Sequence, residues 1–390
     1  MGWNTIIGQS LQKRVLQKAV SSDRLAHAYL FSGPEGTGKE SVAFELAKVL
    51  NCEYRSAAKE AGSCGSCRSC REIDAFMHQD IEYVFPVESV LFDTVDPSKT
   101  ESKRISDAKE RYHELIEQKK LNPYCTPAMD RAMGILTEQV ITLQQKASFM
   151  PAGKGKKVFI LSQPEKLLAS AANKLLKLLE EPPAHVLFTL VSSRPEKVLP
   201  TIRSRCQVLS FSRITSSDLD KWLCESHPEL QNDMRQCIIN FSRGNLRVAV
   251  DLVNSMADGD TSAFEGLIIR DRAIEFLRRV LSPGKLAEAI TMLEELSKNL
   301  GKQELVALLG SLLLFFQDIR HKTIDPGWQS LNNPDLSDAV NRFAQNFPNP
   351  DFLELSTTTE NAIRSIQRNV NPVLTLSEYA IRLKSLLRRT

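Results

Sequence analysis

What this sequence lacks narrows it first. It has no surplus of either charge: 50 Lys and Arg stand against 47 Asp and Glu, a net +3 over 390 residues. A polycationic coat for nucleic acid is thereby excluded, leaving room only for a local basic face. It has no apolar run of membrane-spanning length, since the most apolar stretch, Leu305 to Phe316, falls short of the ~20 residues a span needs. The start, MGWNTIIGQSLQKR, lacks a basic segment leading into an apolar core and a small-residue cleavage site. A cytoplasmic chain without a secretory leader is the expectation. No internal repeat is visible, and strand-like segments cease after Phe211.

What is present fits a globular protein: 42% apolar and 25% charged residues are enough for real cores. At roughly 150 residues per domain the length predicts two or three domains. The first half alternates two periodicities. Ala28–Phe31, Lys157–Leu161 and Val186–Val191 read as buried strands; Ser41–Leu50 and Leu167–Leu179 read as helices, the second stopped by Glu181-Pro182-Pro183. Strands joined by helical crossovers predict a parallel sheet covered on both faces.

Residues 86–134 fit this alternation poorly. Glu101–Lys120 holds six Lys/Arg and five Asp/Glu with few apolar residues, the pattern of a solvated helix or flexible insertion. Ser217 with Asp220 resembles a capping box opening a helix through Trp222. The remainder is helical, broken at Ser282-Pro283-Gly284, Asp325-Pro326-Gly327 and Asn332-Asn333-Pro334-Asp335.

Of eight cysteines, Cys125, Cys206, Cys224 and Cys237 are scattered and read as small buried hydrophobes. The other four, Cys52, Cys64, Cys67 and Cys70, fall within nineteen positions. The pattern C-x11-C-x2-C-x2-C, with small or polar residues between, supplies the four thiolates of a closed, structural Zn²⁺ site.

Gly33-Pro34-Glu35-Gly36-Thr37-Gly38-Lys39 lies between a strand and a helix, the context a phosphate loop requires. Gly33, Gly36 and Gly38 let successive amides point inward as an anion nest, and Lys39 reaches for terminal phosphates. Two parts of the hydrolytic machinery are missing. The position after the lysine should be Ser or Thr to ligate Mg²⁺, but it is Glu40. The strand ending at Leu161 runs into Ser162-Gln163 rather than an acid, and Glu165 lies further along. The architecture for ATP is kept while its Mg²⁺ chemistry is impaired, so the expectation for ATP and Mg²⁺ binding is left open and hydrolysis by this chain alone is not expected.

The run Ala28–Gly33 into the phosphate loop, the four-cysteine insertion after it, Asn173-Lys174-Leu175-Leu176-Lys177-Leu178-Leu179-Glu180-Glu181-Pro182-Pro183 and Ser204-Arg205-Cys206 together resemble the bacterial replicative clamp-loader family of AAA+ proteins. Asn369-Val370-Asn371-Pro372 resembles the start of that family's last collar helix. The resemblance implies an α/β AAA+ fold: a domain of parallel-sheet, phosphate-loop type over 1–212, carrying a zinc module (about 52–70) and the charged insertion (about 86–134). A helical lid at 213–262 and an all-α collar at 263–390 follow. It implies an arginine finger at Arg205 acting on the neighbouring subunit's nucleotide, although Arg203 sits two places away. It also implies a polar sensor at Ser192 or Ser193 and a lid sensor at Arg247.

Losing the loop hydroxyl and the strand-end acids while keeping Arg205 is what the resemblance implies for the stationary, delta-prime type of subunit of the DNA polymerase III holoenzyme. That type completes a ring with tau/gamma motor subunits and the delta subunit, and helps load the sliding clamp onto primer–template DNA. The alternatives are an active tau/gamma-type ATPase and a zinc-containing DNA-binding protein on a decayed ATPase scaffold.

Overall fold

The computed structural model describes residues 2–54, 62–92, 103–257, 265–328, 331–333, 336–347, 350–368 and 370–388. They divide into two compact units: residues 1–230 with 242–250, and residues 231–241 with 251–390.

The first unit is built on a five-stranded sheet, β1 (Ala28–Ser32), β2 (Ile81–Val84), β3 (Lys157–Ser162), β4 (Val186–Ser192) and β5 (Gln207–Ser210), in the order β2-β3-β4-β1-β5. Every pairing is parallel. The three central strands are buried along their whole length, which is why they read as continuous apolar runs rather than alternating ones. Helix α1 (Ser10–Ser21) precedes the sheet, α2 (Lys39–Asn51), α3 (Arg68–Asp74), α4 (Lys103–Leu121), α5 (Thr137–Ala147), α6 (Ala169–Glu180) and the single turn α7 (Pro200–Arg203) connect the strands, and α8 (Ser216–Ser226) follows them. One core face gathers Trp3, Leu16, Tyr29, Phe31, Val42, Leu46 and Ile160; the other gathers Leu30, Val140, Leu143, Phe159, Leu175 and Phe188.

Three expectations need correction. The described part of residues 86–134 holds the expected solvated helix but is not a flexible insertion: Ala108 from α4 is fully buried with Phe85, Val87, Met129 and Leu136, and Tyr112 stacks on Phe85 with ring centroids 5.5 Å apart. The charge alternation solvates one side of α4 and hides the apolar stripe on the other; residues 93–102 of this segment lie outside the described residues. The cap of α8 is Thr215, whose hydroxyl accepts from the Asp218 amide, two residues before the proposed box. The scattered cysteines are not uniformly buried either. Cys125 and Cys206 are half-buried and Cys224 is exposed, while the side chain of Cys237 lies outside the described residues.

The second unit is helical. It contains most of α9 (Asn232–Ser242), the C-terminal half of α10 (Leu246–Ala257), and then α11 (Glu265–Leu281), α12 (Leu286–Asn299), α13 (Lys302–Ile324), α14 (Ser337–Asn346), α15 (Phe352–Gln367) and α16 (Pro372–Arg388). The breaks fall where Ser282-Pro283-Gly284 and Asp325-Pro326-Gly327 put them; Pro334-Asp335 and Asn369 lie outside the described residues. Leu308, Leu309, Leu312, Phe316 and Ile319 form one apolar face of α13, and that face belongs to the unit's core. Buried Asp318 accepts four hydrogen bonds from the backbone and side-chain amides of Asn332 and Asn333, fixing the exit from this helix without a counter-cation.

Candidate functional site

The carboxyl ends of the parallel strands meet at one edge of the sheet, with Ser32 paired to Ser192 and to Ser210, and Ser162 to Val191. That edge is where open α/β sheets place their ligands. β1 leaves it through Gly33 and turns into α2, whose N-cap, Gly38, holds φ at +82°, a left-handed value that a side chain would strain. At Gly36 a Cβ would collide with the Asn245 side chain, and the Gly36 carbonyl accepts from the Leu246 amide at 2.7 Å. The loop has the strand–turn–helix form of a phosphate cradle.

Its cations and acids are engaged with one another. Lys39 bends back into the loop and donates to the carbonyls of Gly33 (2.8 Å) and Pro34 (2.5 Å). Burial lowers its pKa to about 8, against the opposing pull of Glu40, Glu35 and Glu165. Arg247 pairs with Glu35 of the loop at 3.0 Å, with both side chains about half exposed. The sensor candidate Ser192 donates to Glu165 at 2.7 Å. Glu165 therefore reaches the strand edge, contrary to its sequence position: Gln163 adopts a left-handed φ of 58° and a short 3₁₀ turn over Pro164–Lys166 brings the carboxylate back.

At the position where a hydroxyl is expected, Glu40 is buried and fully engaged. Its carboxylate accepts from Ser162 Oγ (2.5 Å), Tyr83 Oη (2.9 Å) and Lys119 Nζ. Lys119, from the end of α4, is 2% exposed and directs its other donors to the carbonyls of Pro123 and Cys125, each at 2.6 Å. Burial, and then the charge of Glu40, raise the Tyr83 pKa, so the phenol stays a donor. Taking two such ions from water costs several kcal/mol each, and removing one partner of a buried pair costs about 3–5 kcal/mol. Here all three ammonium donors are satisfied, the condition under which burial is tolerated. The segment after α4 continues across the loop: the ring of Tyr124 lies about a van der Waals contact from where a Gly38 Cβ would be, and Asn122 donates to the Arg247 carbonyl at 3.1 Å. Sequence reasoning missed Lys119 and Tyr83. Neither bears a motif, and their meeting depends on β2, which its short, half-buried pattern concealed.

The four cysteines do come together. Their sulfurs lie within 4.8 Å of one another, with Cys64 and Cys70 at 3.9 Å, and none is in a disulfide. A tetrahedron with ~2.3 Å Zn–S bonds has edges of about 3.8 Å, so the donor set is compatible with zinc. Burial works against ionisation of Cys64, but the amides of Cys67 and Ser66 overcome it and bring its pKa down to about 6. Burial pushes Cys52 and Cys70 the other way. Cys52 directly follows α2, and Glu45 of that helix accepts from the Ser63 amide (2.8 Å) and hydroxyl (3.1 Å), tying the module to the phosphate-loop helix.

Arg205 lies at the surface on the turn after α7. Its guanidinium donates to the Thr201 carbonyl at 3.0 Å and to Glu180 of α6 at 2.7 Å, leaving about a third of it exposed. Arg203 is exposed. No helix among the described residues is long and apolar enough to cross a membrane.

The chain is 26% identical over 337 residues to the DNA polymerase III subunit tau of Bacillus subtilis, covering 84% of this chain and 51% of that one. It is 29% identical over 245 residues to the delta-prime subunit of the same organism, covering 62% and 59%. The chain thus spans between half and three fifths of the length of these two relatives. Among solved structures, a gamma subunit-related protein of DNA polymerase III from Thermotoga maritima aligns over 96% of this chain and 99% of its own, with 15% identity and a TM-score of 0.42. The family described as DNA polymerase III, delta subunit matches residues 8–215, more than half of the sequence. With its parallel phosphate-loop sheet followed by helices, the chain belongs to that family of bacterial AAA+ clamp-loader proteins.

Proposed function

We propose that this chain is the non-hydrolysing, delta-prime type of clamp-loader subunit. In this reading it occupies a hetero-oligomeric ring with tau/gamma motor subunits and a delta subunit, in the cytoplasm. It presents Arg205 to the adjacent motor's nucleotide and helps load the sliding clamp at primer–template DNA. The AAA+ domain would end near 212, with a lid over 213–262 and a collar over 263–390.

The observation that carries this reading is Glu40. A hydrolysing phosphate loop needs a hydroxyl there and an acid at the neighbouring strand end to hold Mg²⁺. Here the first position is a carboxylate saturated by Lys119, Tyr83 and Ser162, and the strand end is one of the groups saturating it. Arg205 would act as a planar cation on charge spreading over γ-phosphate oxygens next door, a role that needs no working cleft of its own. Cys52, Cys64, Cys67 and Cys70 would hold one structural Zn²⁺, with all four ligands from protein and no open position for chemistry.

The second reading, a tau/gamma-type ATPase, is favoured by one feature. Glu165 does bring a carboxylate to the strand edge, onto Ser192. An ATPase assay on the purified chain separates the two. The expected result is turnover at background, unchanged by Lys39→Ala; turnover that Lys39→Ala abolishes would overturn the delta-prime reading.

A further inference from the structure

Lys119 comes from the insertion, the part of the chain the sequence left without a task, and it ends at the most consequential position in the cleft. Its ammonium nitrogen is enclosed by oxygen: a Glu40 carboxylate oxygen and the carbonyls of Pro123 and Cys125, with the Ser162 and Tyr83 hydroxyls on the same carboxylate. Carboxylate, carbonyl and hydroxyl oxygens are the donors that hard divalent cations take. The arrangement sits one residue beyond the loop lysine and against the end of β3, where a phosphate loop keeps its Mg²⁺.

We propose that Lys119 is a tethered cation that replaces Mg²⁺ in this cleft. It neutralises Glu40, occupies the oxygen cage and locks the 119–125 segment over the phosphate loop, so that the loop keeps its form without a divalent ion. The function of the insertion is then to deliver this charge. A mobile ion has to be captured from solution and is lost when nucleotide leaves; an ammonium on a packed helix is present at all times. The consequence is a subunit whose shape does not follow the nucleotide cycle.

The proposal rests on reading residues 33–39 as a phosphate loop. Its test uses no nucleotide, so its failure and the failure of the delta-prime reading are read from separate measurements.

The test is chemical rescue of the whole chain. Lys119→Met keeps the four-atom stem of the side chain and removes the terminal ammonium with its charge and donors. Thermal melting is recorded in magnesium chloride and in sodium chloride of equal ionic strength. The native chain melts at the same temperature in both salts. Lys119→Met loses about 10 °C in sodium and regains most of it in magnesium, which now enters the vacated oxygen cage. Lys120→Met, one residue along on the surface, responds to neither salt. Magnesium does not compete for the soft sulfur ligands of the cysteine module, so that site does not confound the reading. If Lys119→Met folds only in magnesium, rescue is complete and the proposal holds. Three outcomes would overturn it: a variant as stable as the native chain, a loss that magnesium does not repair, or a native chain that magnesium itself stabilises.

Discussion

The phosphate cleft and the cysteine module lie at the two ends of α2, and they handle the same problem in opposite ways. Each gathers ligand atoms suited to a cation. At the N-terminal end the chain supplies the cation itself: Lys119 on Glu40, Lys39 on the loop carbonyls, Arg247 on Glu35. At the C-terminal end four sulfurs converge within 4.8 Å of one another. One site is electrostatically complete as folded. The other is compatible with an ion from outside, and ionising four neighbouring thiols without one is opposed both by burial and by mutual repulsion. Retaining a cleft in form while filling it from within differs from retaining a binding site.

Removing the outside ion breaks the comparison most severely. The purified chain is expected to contain about one zinc, and stripping it lowers the melting temperature by about 10 °C or more, since binding energy at such a site is folding energy. Metal analysis with melting before and after chelation checks both. A chain without zinc that melts normally would mean the sulfurs need no ion, and the contrast with the cleft would vanish.

The next effect lies outside the chain. If the cleft's cations are committed inward, a cation offered to a neighbour must come from elsewhere, and among the described residues Arg205 is held by Thr201 and Glu180 at the surface. An exposed pair of this kind is worth little, about 0–1 kcal/mol, so a stronger acceptor can draw the guanidinium away. Arg205→Ala should leave melting unchanged yet lower the assembled ring's DNA- and clamp-stimulated ATPase by about 1,000-fold or more at the site it faces, whereas Arg203→Ala has little effect. Steady-state turnover of the reconstituted complex decides between them, and equal losses at both positions would remove the assignment to Arg205.

How much of this the sequence revealed follows from the range of each interaction. The central strands, the phosphate loop and the cysteine quartet are local patterns, readable because the glycine spacing and the C-x2-C turns act within a few residues. The Glu40 cage is assembled from positions 40, 83, 119 and 162, and nothing in the vicinity of Lys119 distinguishes it from the charged residues around it. Glu165 was misjudged for a related reason: distance along the chain implied distance in space, and one left-handed residue at Gln163 reversed that. The absence of a hydroxyl after Lys39 was visible in the sequence. What replaced it was not.

The smallest effect sharpens the comparison from inside the cleft. Lys39 has its pKa lowered by burial to about 8, against 10.5 for an ordinary lysine. Between those values the unfolded chain holds a proton that the folded chain has released, so this group's contribution to stability rises with pH across that window. Below pH 8 both states are protonated and the full cost of burying the charge is present. Lys39→Met carries no such charge, although it leaves the Gly33 and Pro34 carbonyls without their donor. The absolute difference between the two proteins mixes both terms, but only the charge depends on pH. Denaturant melts at pH 7, 8, 9 and 10 should therefore show native stability gaining steadily on Lys39→Met above pH 8 and running parallel to it below. A difference that stays flat across the whole range would mean that Lys39 is solvated as an ordinary surface lysine, and that the cleft is more open than its hydrogen bonds imply.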